Sequence, residues 1–246
     1  MRSARVLIPL TLFAVVLTGC NKADTPGTTP GGTGASVPAT SAGPTPNGVA
    51  DLSGAEILAK AKTALGAASS FRVKGDVNAD GQKIGLDVKV KDKDLIGSID
   101  LNGAKVELLR AGNDIHFKGA AEFWKTVDPE KGATIATLLN GRWAKAPSGN
   151  AGLADFAKIA DPQELLKSEG SVTKGETKQI NGVNAIALKD SSGNGALYIA
   201  TEGEPYPLRL EGPSGQGALD FSDFGASVDI KAPTGAEVVD LSTLGG

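Results

Sequence analysis

Residues 71–90 read FRVKGDVNADGQKIGLDVKV, and apolar and polar side chains alternate with a period of two on both sides of Asp80-Gly81. Phe71, Val73, Val77 and Ala79 share one face, and Arg72, Lys74, Asp76, Asn78 and Asp80 share the other. After the Asp-Gly pair, Ile84, Leu86, Val88 and Val90 alternate with Lys83, Asp87, Lys89 and Lys91. A period of two places successive side chains on opposite faces of a strand, and Asp-Gly is a strong signal for a tight hairpin turn. The stretch therefore predicts an antiparallel hairpin with one apolar and one wetted face.

The pattern continues outward from this hairpin. Further strands are expected at about 95–101, 104–110 and 114–118, with Asn102-Gly103 as another turn, and again at about 170–180, 183–189, 196–200, 205–211, 217–222 and 226–231, with Asn181-Gly182 turning the chain. A helix precedes them: Ser53 and Glu56 form a capping-box pattern, and Ile57, Leu58, Ala61 and Leu65 fall on one face. Between the two runs of strands, residues 120–168 change to helical spacing at Ile135, Leu138 and Leu139 and at Leu153, Phe156, Ala157 and Ala160. Asp161-Pro162-Gln163-Glu164 marks a helix start with proline at its first position. The expected fold is α+β: one strongly bent antiparallel sheet of ten or eleven strands, with helices covering its concave apolar face.

The N-terminus assigns a compartment. Arg2 and Arg5 precede the apolar run Val6–Leu17. A bilayer-spanning helix needs about 20 apolar residues, so this shorter run has the dimensions of a signal peptide. It ends in Leu17-Thr18-Gly19-Cys20, which resembles the lipobox of bacterial lipoproteins, and Cys20 is the only cysteine in the chain. We expect residues 1–19 to be removed and Cys20 to carry acyl chains such as palmitate, holding an extracytoplasmic protein on the outer face of the cell membrane. Residues 21–50 are rich in Pro, Gly and Thr and contain Val37 and Val49 as their only sizeable apolar side chains. Such a segment buries too little to offset its ordering entropy and is expected to be a disordered tether with a reach on the order of 30 Å. Its Thr, Ser and Pro content also suits O-linked sugars. Residues 51–246 then form a single domain.

Composition narrows the chemistry. A net charge of −3 is opposed to nucleic-acid binding, which needs a basic surface. One cysteine excludes an internal disulfide, and a single histidine excludes multi-histidine metal centres. Asp76, Asn78, Asp80, Gly81 and Asp87 approach the spacing of a calcium loop, but that loop needs flanking helices, whereas strand alternation runs on both sides here. His116, between Ile115 and Phe117, is expected to point to solvent from a strand. No nucleophile elbow, phosphate-cradling loop or cofactor motif is present. The sequence thus offers neither catalytic residues nor a metal or cofactor site. The apolar segment containing Phe123, Trp124, Leu138, Leu139, Trp143, Leu153, Phe156, Ile159, Leu165 and Leu166 either completes the core or helps line a cavity.

The order of these parts resembles a known family. A lipobox, a Pro/Thr/Gly tether, a helix and an antiparallel meander are followed by Glu122-Phe123-Trp124, Leu138-Leu139-Asn140-Gly141-Arg142-Trp143-Ala144-Lys145 and Ala160-Asp161-Pro162, then more strands. This looks like the actinobacterial LppX/LprAFG lipoproteins, related in fold to bacterial carriers of the LolA/LolB type. The resemblance implies a half-open β-barrel with helices across its mouth, holding acyl chains of a lipid or glycolipid that it carries or presents in the cell envelope. The resemblance gives only the general position of the lining; the one-sided alternation at Val73, Val77, Ile84, Leu86, Val88 and Val90, opposed by Trp124, Leu138, Leu139, Leu153 and Phe156, makes these the candidate lining residues. The competing reading is a membrane-anchored interaction module without a ligand cavity. The sequence names no envelope export partner under either reading.

Overall fold

The structure is a computed structural model that describes residues 45–79, 81–146, 158–193, 195–214 and 216–241. Cys20, most of the tether, Leu153 and Phe156 lie outside the described residues. The described residues belong to one compact unit.

A helix, α1 (Gly54–Ala67), opens the domain, and its capping box forms as expected. The Ser53 backbone N–H donates to Glu56 Oε2 at 2.9 Å, while Ser53 Oγ accepts from the Glu56 N–H at 3.4 Å. A meander follows through β1 (Ser70–Ala79), β2 (Gln82–Lys91), β3 (Asp94–Leu101), β4 (Ala104–Ala111) and β5 (Asp114–Gly119). After α2 (Ala121–Val127) and α3 (Gly132–Leu139) come the short β6 (Trp143–Lys145) and α4 (Pro162–Leu165). The second meander is β7 (Val172–Ile180), β8 (Val183–Asp190), β9 (Ala196–Ala200), β10 (Pro207–Glu211) and β11 (Gly217–Ser222), and β12 (Val238–Asp240) ends the described chain. The Asn-Gly turns hold φ of 54° and 92° at Asn102 and Gly103, and of 51° and 84° at Asn181 and Gly182. Positive φ at both central residues is what an Asn-Gly hairpin provides.

All twelve strands form one strongly bent, non-closed sheet in the order β12-β6-β5-β4-β3-β2-β1-β11-β10-β9-β8-β7. Every pairing is antiparallel except β12 with β6, so the sheet is mixed. Two meanders join where β1 pairs with β11, Val73 facing Phe221. Three elements depart from the expectation. Residues 226–231 alternate in sequence but form no strand, because β11 is already paired on both sides, by β1 and β10. The strands β6 and β12, three residues each, are too short to show a period.

Residues 45–50, assigned to the tether on composition, pack on the domain instead. Val49 is 1% exposed and joins the core, the Asn47 N–H donates to Thr201 O at 3.0 Å, and Asn47 Nδ2 donates to Ala200 O at 3.0 Å. One apolar side chain and a few backbone partners suffice to fix a segment whose composition alone reads as coil.

The concave face carries one continuous core. Ile57, Ala61 and Leu65 of α1 are fully buried against Val73, Val88, Val90, Leu95 and Ile99 of the sheet. Each such Ile or Leu contributes roughly 1.5–3 kcal/mol by leaving water. Inward positions at Gly75 and Gly97 carry no side chain, and a Cβ on either would collide with neighbouring backbone, at Ala218 and Val88 respectively. Glycine at such inward positions lets adjacent strands close up and the sheet curl.

Candidate functional site

The wetted convex face is a charge ladder built by register. Cross-strand partners run from Arg209 to Asp220, Lys74 and Asp87. Arg72 grips Asp87 through two hydrogen bonds of 2.7 Å, and Arg209 grips Asp220 at 2.6 and 3.0 Å. The Arg72 hydrogen bonds hold the Asp87 carboxyl below its ordinary pKa of 3.8. Asp76 and Asp87, part of the near-miss calcium spacing, face Gly85 and Lys74 across a β-hairpin. A hollow of about 260 Å³ on this face is lined by Lys74, Asp76, Gly85, Asp87, Asp100 and Lys105, so its walls are charged rather than apolar.

The concave face contains the candidate site, and the expected lining lands there unevenly. Val73, Val88, Val90, Trp124 and Leu139 are buried, with Ile84 and Leu86 half-buried against the same cluster. Val77 is half-buried beside Ile84, and Leu138 is exposed on the outer side of α3. Trp124 is fixed by packing against Phe117 and Phe123, with ring centroids 5.5 and 5.1 Å away, and its Nε1 donates to Gly119 O at 3.1 Å. These side chains fill a core.

Open space lies to either side of α4, over the concave face. One cleft of about 260 Å³ is lined by Leu58 of α1, Leu165 and Leu166, and the sheet residues Val172, Leu188, Leu197 and Leu210. The other, about 660 Å³, lies between the C-terminal end of α1 at Leu65–Ser69, Phe71, the β2–β3 turn at Asp92 and Lys93, Arg110, and the 158–164 segment. Neither cleft is bordered by any of the expected lining residues that the structure describes. The expectation went to the strands with the clearest alternation, yet Val73, Val88 and Val90 on those strands are fully buried in the core that Ile57, Ala61 and Leu65 of α1 complete. Leu165 and Leu166 were visible as part of the apolar segment, and Leu58 as part of the α1 face. Leu188, Leu197 and Leu210 had no distinguishing signal, since burial does not alternate along β8, β9 or β10.

The pocket chemistry differs between the two clefts. The smaller is mainly leucine and valine, with Lys167, Glu169 and Asp190 at its rim. The larger carries Lys93, Arg110 and Lys158 together with Asp92, Asp161 and Glu164. Asp161 is committed to capping α4, accepting from the Gln163 N–H at 2.8 Å, and Arg110 Nε donates to Gly112 O at 3.1 Å.

His116 points away from Phe117's face, as alternation requires, but is not solvent-facing: it is 3% exposed, opposite Leu109 and beside Lys145. Its Nδ1 has no hydrogen-bond partner among the described residues. Burial, opposed by Asp114 and reinforced by Lys145, pushes its pKa below 6.5.

No helix among the described residues is long and apolar enough to cross a membrane. No family model matches the chain, and no curated protein does. Among solved structures, the chain is similar to the crystal structure of LprF from Mycobacterium bovis, with 15% identity over 78% of this chain and 100% of that one and a TM-score of 0.48. It is also similar to the lipoprotein LppX of Mycobacterium tuberculosis, with 16% identity over 72% of this chain and 99% of that one and a TM-score of 0.45. A conserved protein from Thermus thermophilus aligns over 76% of this chain and 98% of its own, with 12% identity and a TM-score of 0.39.

Proposed function

We infer that this chain is a cell-envelope lipoprotein whose domain binds a lipid or glycolipid by its acyl part and carries or presents it. The observation that supports this reading most is the pair of clefts flanking α4 on the concave face, one walled by Leu58, Leu165, Leu166, Leu188, Leu197 and Leu210. Small-molecule sites commonly occupy about 300–1,000 Å³, and the larger cleft alone falls in that range. Burying a hydrocarbon chain contributes about 0.8 kcal/mol per methylene, so such a site works without any conspicuous polar motif. Anchoring belongs to the same proposal: Cys20 carries the acyl groups, and the tether spaces the domain from the membrane.

Native mass spectrometry of the extracted protein tests the binding: a co-purifying lipid is expected. Leu58→Trp in the smaller cleft and Ala68→Trp in the larger, both at half-buried positions, should leave the melting temperature unchanged yet together abolish uptake of a fluorescent fatty acid. The absence of probe uptake by the unmutated protein would leave the anchored interaction module, which the filled core around Val73, Val88 and Val90 favours. For the anchor, Cys20→Ala should abolish palmitate labelling and release the protein from membranes.

A further inference from the structure

The helix α3 differs from α1 in what it shows to water. Its sequence, Gly132 to Leu139, carries no charge over eight residues, and only Gly132 and Leu139 are buried. Ala133, Thr134, Thr137 and Leu138 are exposed and Ile135 is half-exposed. Leu138, at 41%, is the one large apolar side chain exposed among the described residues. By contrast, α1 turns Glu56 and Lys60 outward.

Cations bracket this uncharged face. Lys131 is exposed at its N-terminal end. At the other end Arg142 folds back on the helix, Nη2 donating to Leu138 O at 2.7 Å and Nε to Leu139 O at 3.1 Å, which fixes the guanidinium beside the exposed leucine. Trp143 follows, half-exposed, with Lys118 Nζ 5.9 Å from its ring centroid. Of the nearby acids, Glu122 lies on α2, while Asp128 and Glu130 sit in the turn beside Lys131, at the opposite end of α3 from Arg142.

We propose that α3 docks the domain on an anionic lipid surface, with Leu138 and Ile135 entering the acyl boundary and Arg142 and Lys131 at the headgroups. An apolar stripe flanked by Arg and Lys, with a Trp at its margin, matches what an interfacial helix requires. The area decides against a protein partner. Eight residues make a helix of about 12 Å, whereas a specific protein interface buries about 1,200–2,000 Å² and needs shape complementarity over all of it. A fluid lipid surface needs neither. The inference rests on α3 and does not depend on a ligand in the clefts.

Cys20 is the sole cysteine, so the full chain bearing Cys20→Ser accepts one label at a chosen site. A polarity-sensitive fluorophore at Thr134→Cys should shift to the blue on vesicles of phosphatidylglycerol and phosphatidylcholine, and brominated acyl chains should quench it. The same label at Lys89→Cys, on the convex face, controls for attachment through the N-terminal segment and should stay in water. Adding Leu138→Glu should remove the Thr134 shift. A Thr134 label that stays in water, or one that behaves like the Lys89 label, overturns the proposal. Self-association of the chain that Leu138→Glu abolishes, without vesicle insertion, overturns it in favour of a second copy as the occupant.

Discussion

Gly97 of β3 lies directly opposite Val88 of β2, and a Cβ at Gly97 would come within 2.6 Å of the Val88 Cα and nearer still to the Asp87 carbonyl oxygen. The two strands approach on the concave side because nothing projects there. Backbone cannot yield as a side-chain tip does, so Gly97→Ala should destabilise by about 1–3 kcal/mol, read as a lower urea midpoint. Gly66→Ala, on α1 with open space around its Cβ, should stabilise by about 0.5–1 kcal/mol. Equal effects of the two changes would contradict this account of the bend.

The Arg72–Asp87 pair is bidentate, but the two side chains keep 29% and 36% of their exposure. Exposed ion pairs contribute little, about 0.2–1 kcal/mol. A double-mutant cycle on Arg72→Met and Asp87→Leu should return a coupling in that range, reduced in high salt. A coupling several times larger would mean that this row of charges, and not the core, holds β1 to β2.

His116 makes stability depend on pH near neutrality. Its neutral form is favoured in the fold, so the unfolded chain takes up the proton first as pH falls through 6.5. The unfolded state then binds more protons, and stability declines on acidification. The melting temperature should drop between about pH 7.5 and 5, and His116→Gln should flatten that part of the profile. An unchanged slope would show that other groups set it.

The boundary between tether and domain gives a fourth prediction. Asn47 donates to Ala200 O and accepts from the Val49 N–H at 3.2 Å through Oδ1. Deleting 24–44 should leave the melting temperature unchanged, while Asn47→Ala should cost about 1–2 kcal/mol, because two backbone groups lose their partner. Equal stability in both variants would return residues 45–50 to the tether.

The sequence shows most of the sheet because Phe71–Val90 is solvated on one side only, which forces alternation. It shows less where strands are covered on both faces. In β8 and β9, Ala185, Ala187 and Tyr198 form a second small cluster on the convex side, with Lys178 Nζ 4.1 Å from the Tyr198 ring centroid. The same loss of contrast hid the burial of His116 and Leu109. The candidate site was less legible still. Alternation says which side of a strand is apolar, but not whether a helix fills the space above it, and that is why Val88 proved to be core while Leu197 borders a cleft.

The pairing of β1 with β11 sets an order of assembly. The strand at the middle of the sheet finds one neighbour, β2, across a short turn, and the other only after residues 217–222 have been made. Until then one side of β1 is an open edge with Phe71 and Val73 uncovered. Contacts between residues so far apart in sequence form late, and an unpaired apolar edge invites association with other chains. The domain therefore cannot finish folding as it emerges from the ribosome. On the proposed function, in which the chain crosses a membrane before folding, that delay is written into its topology.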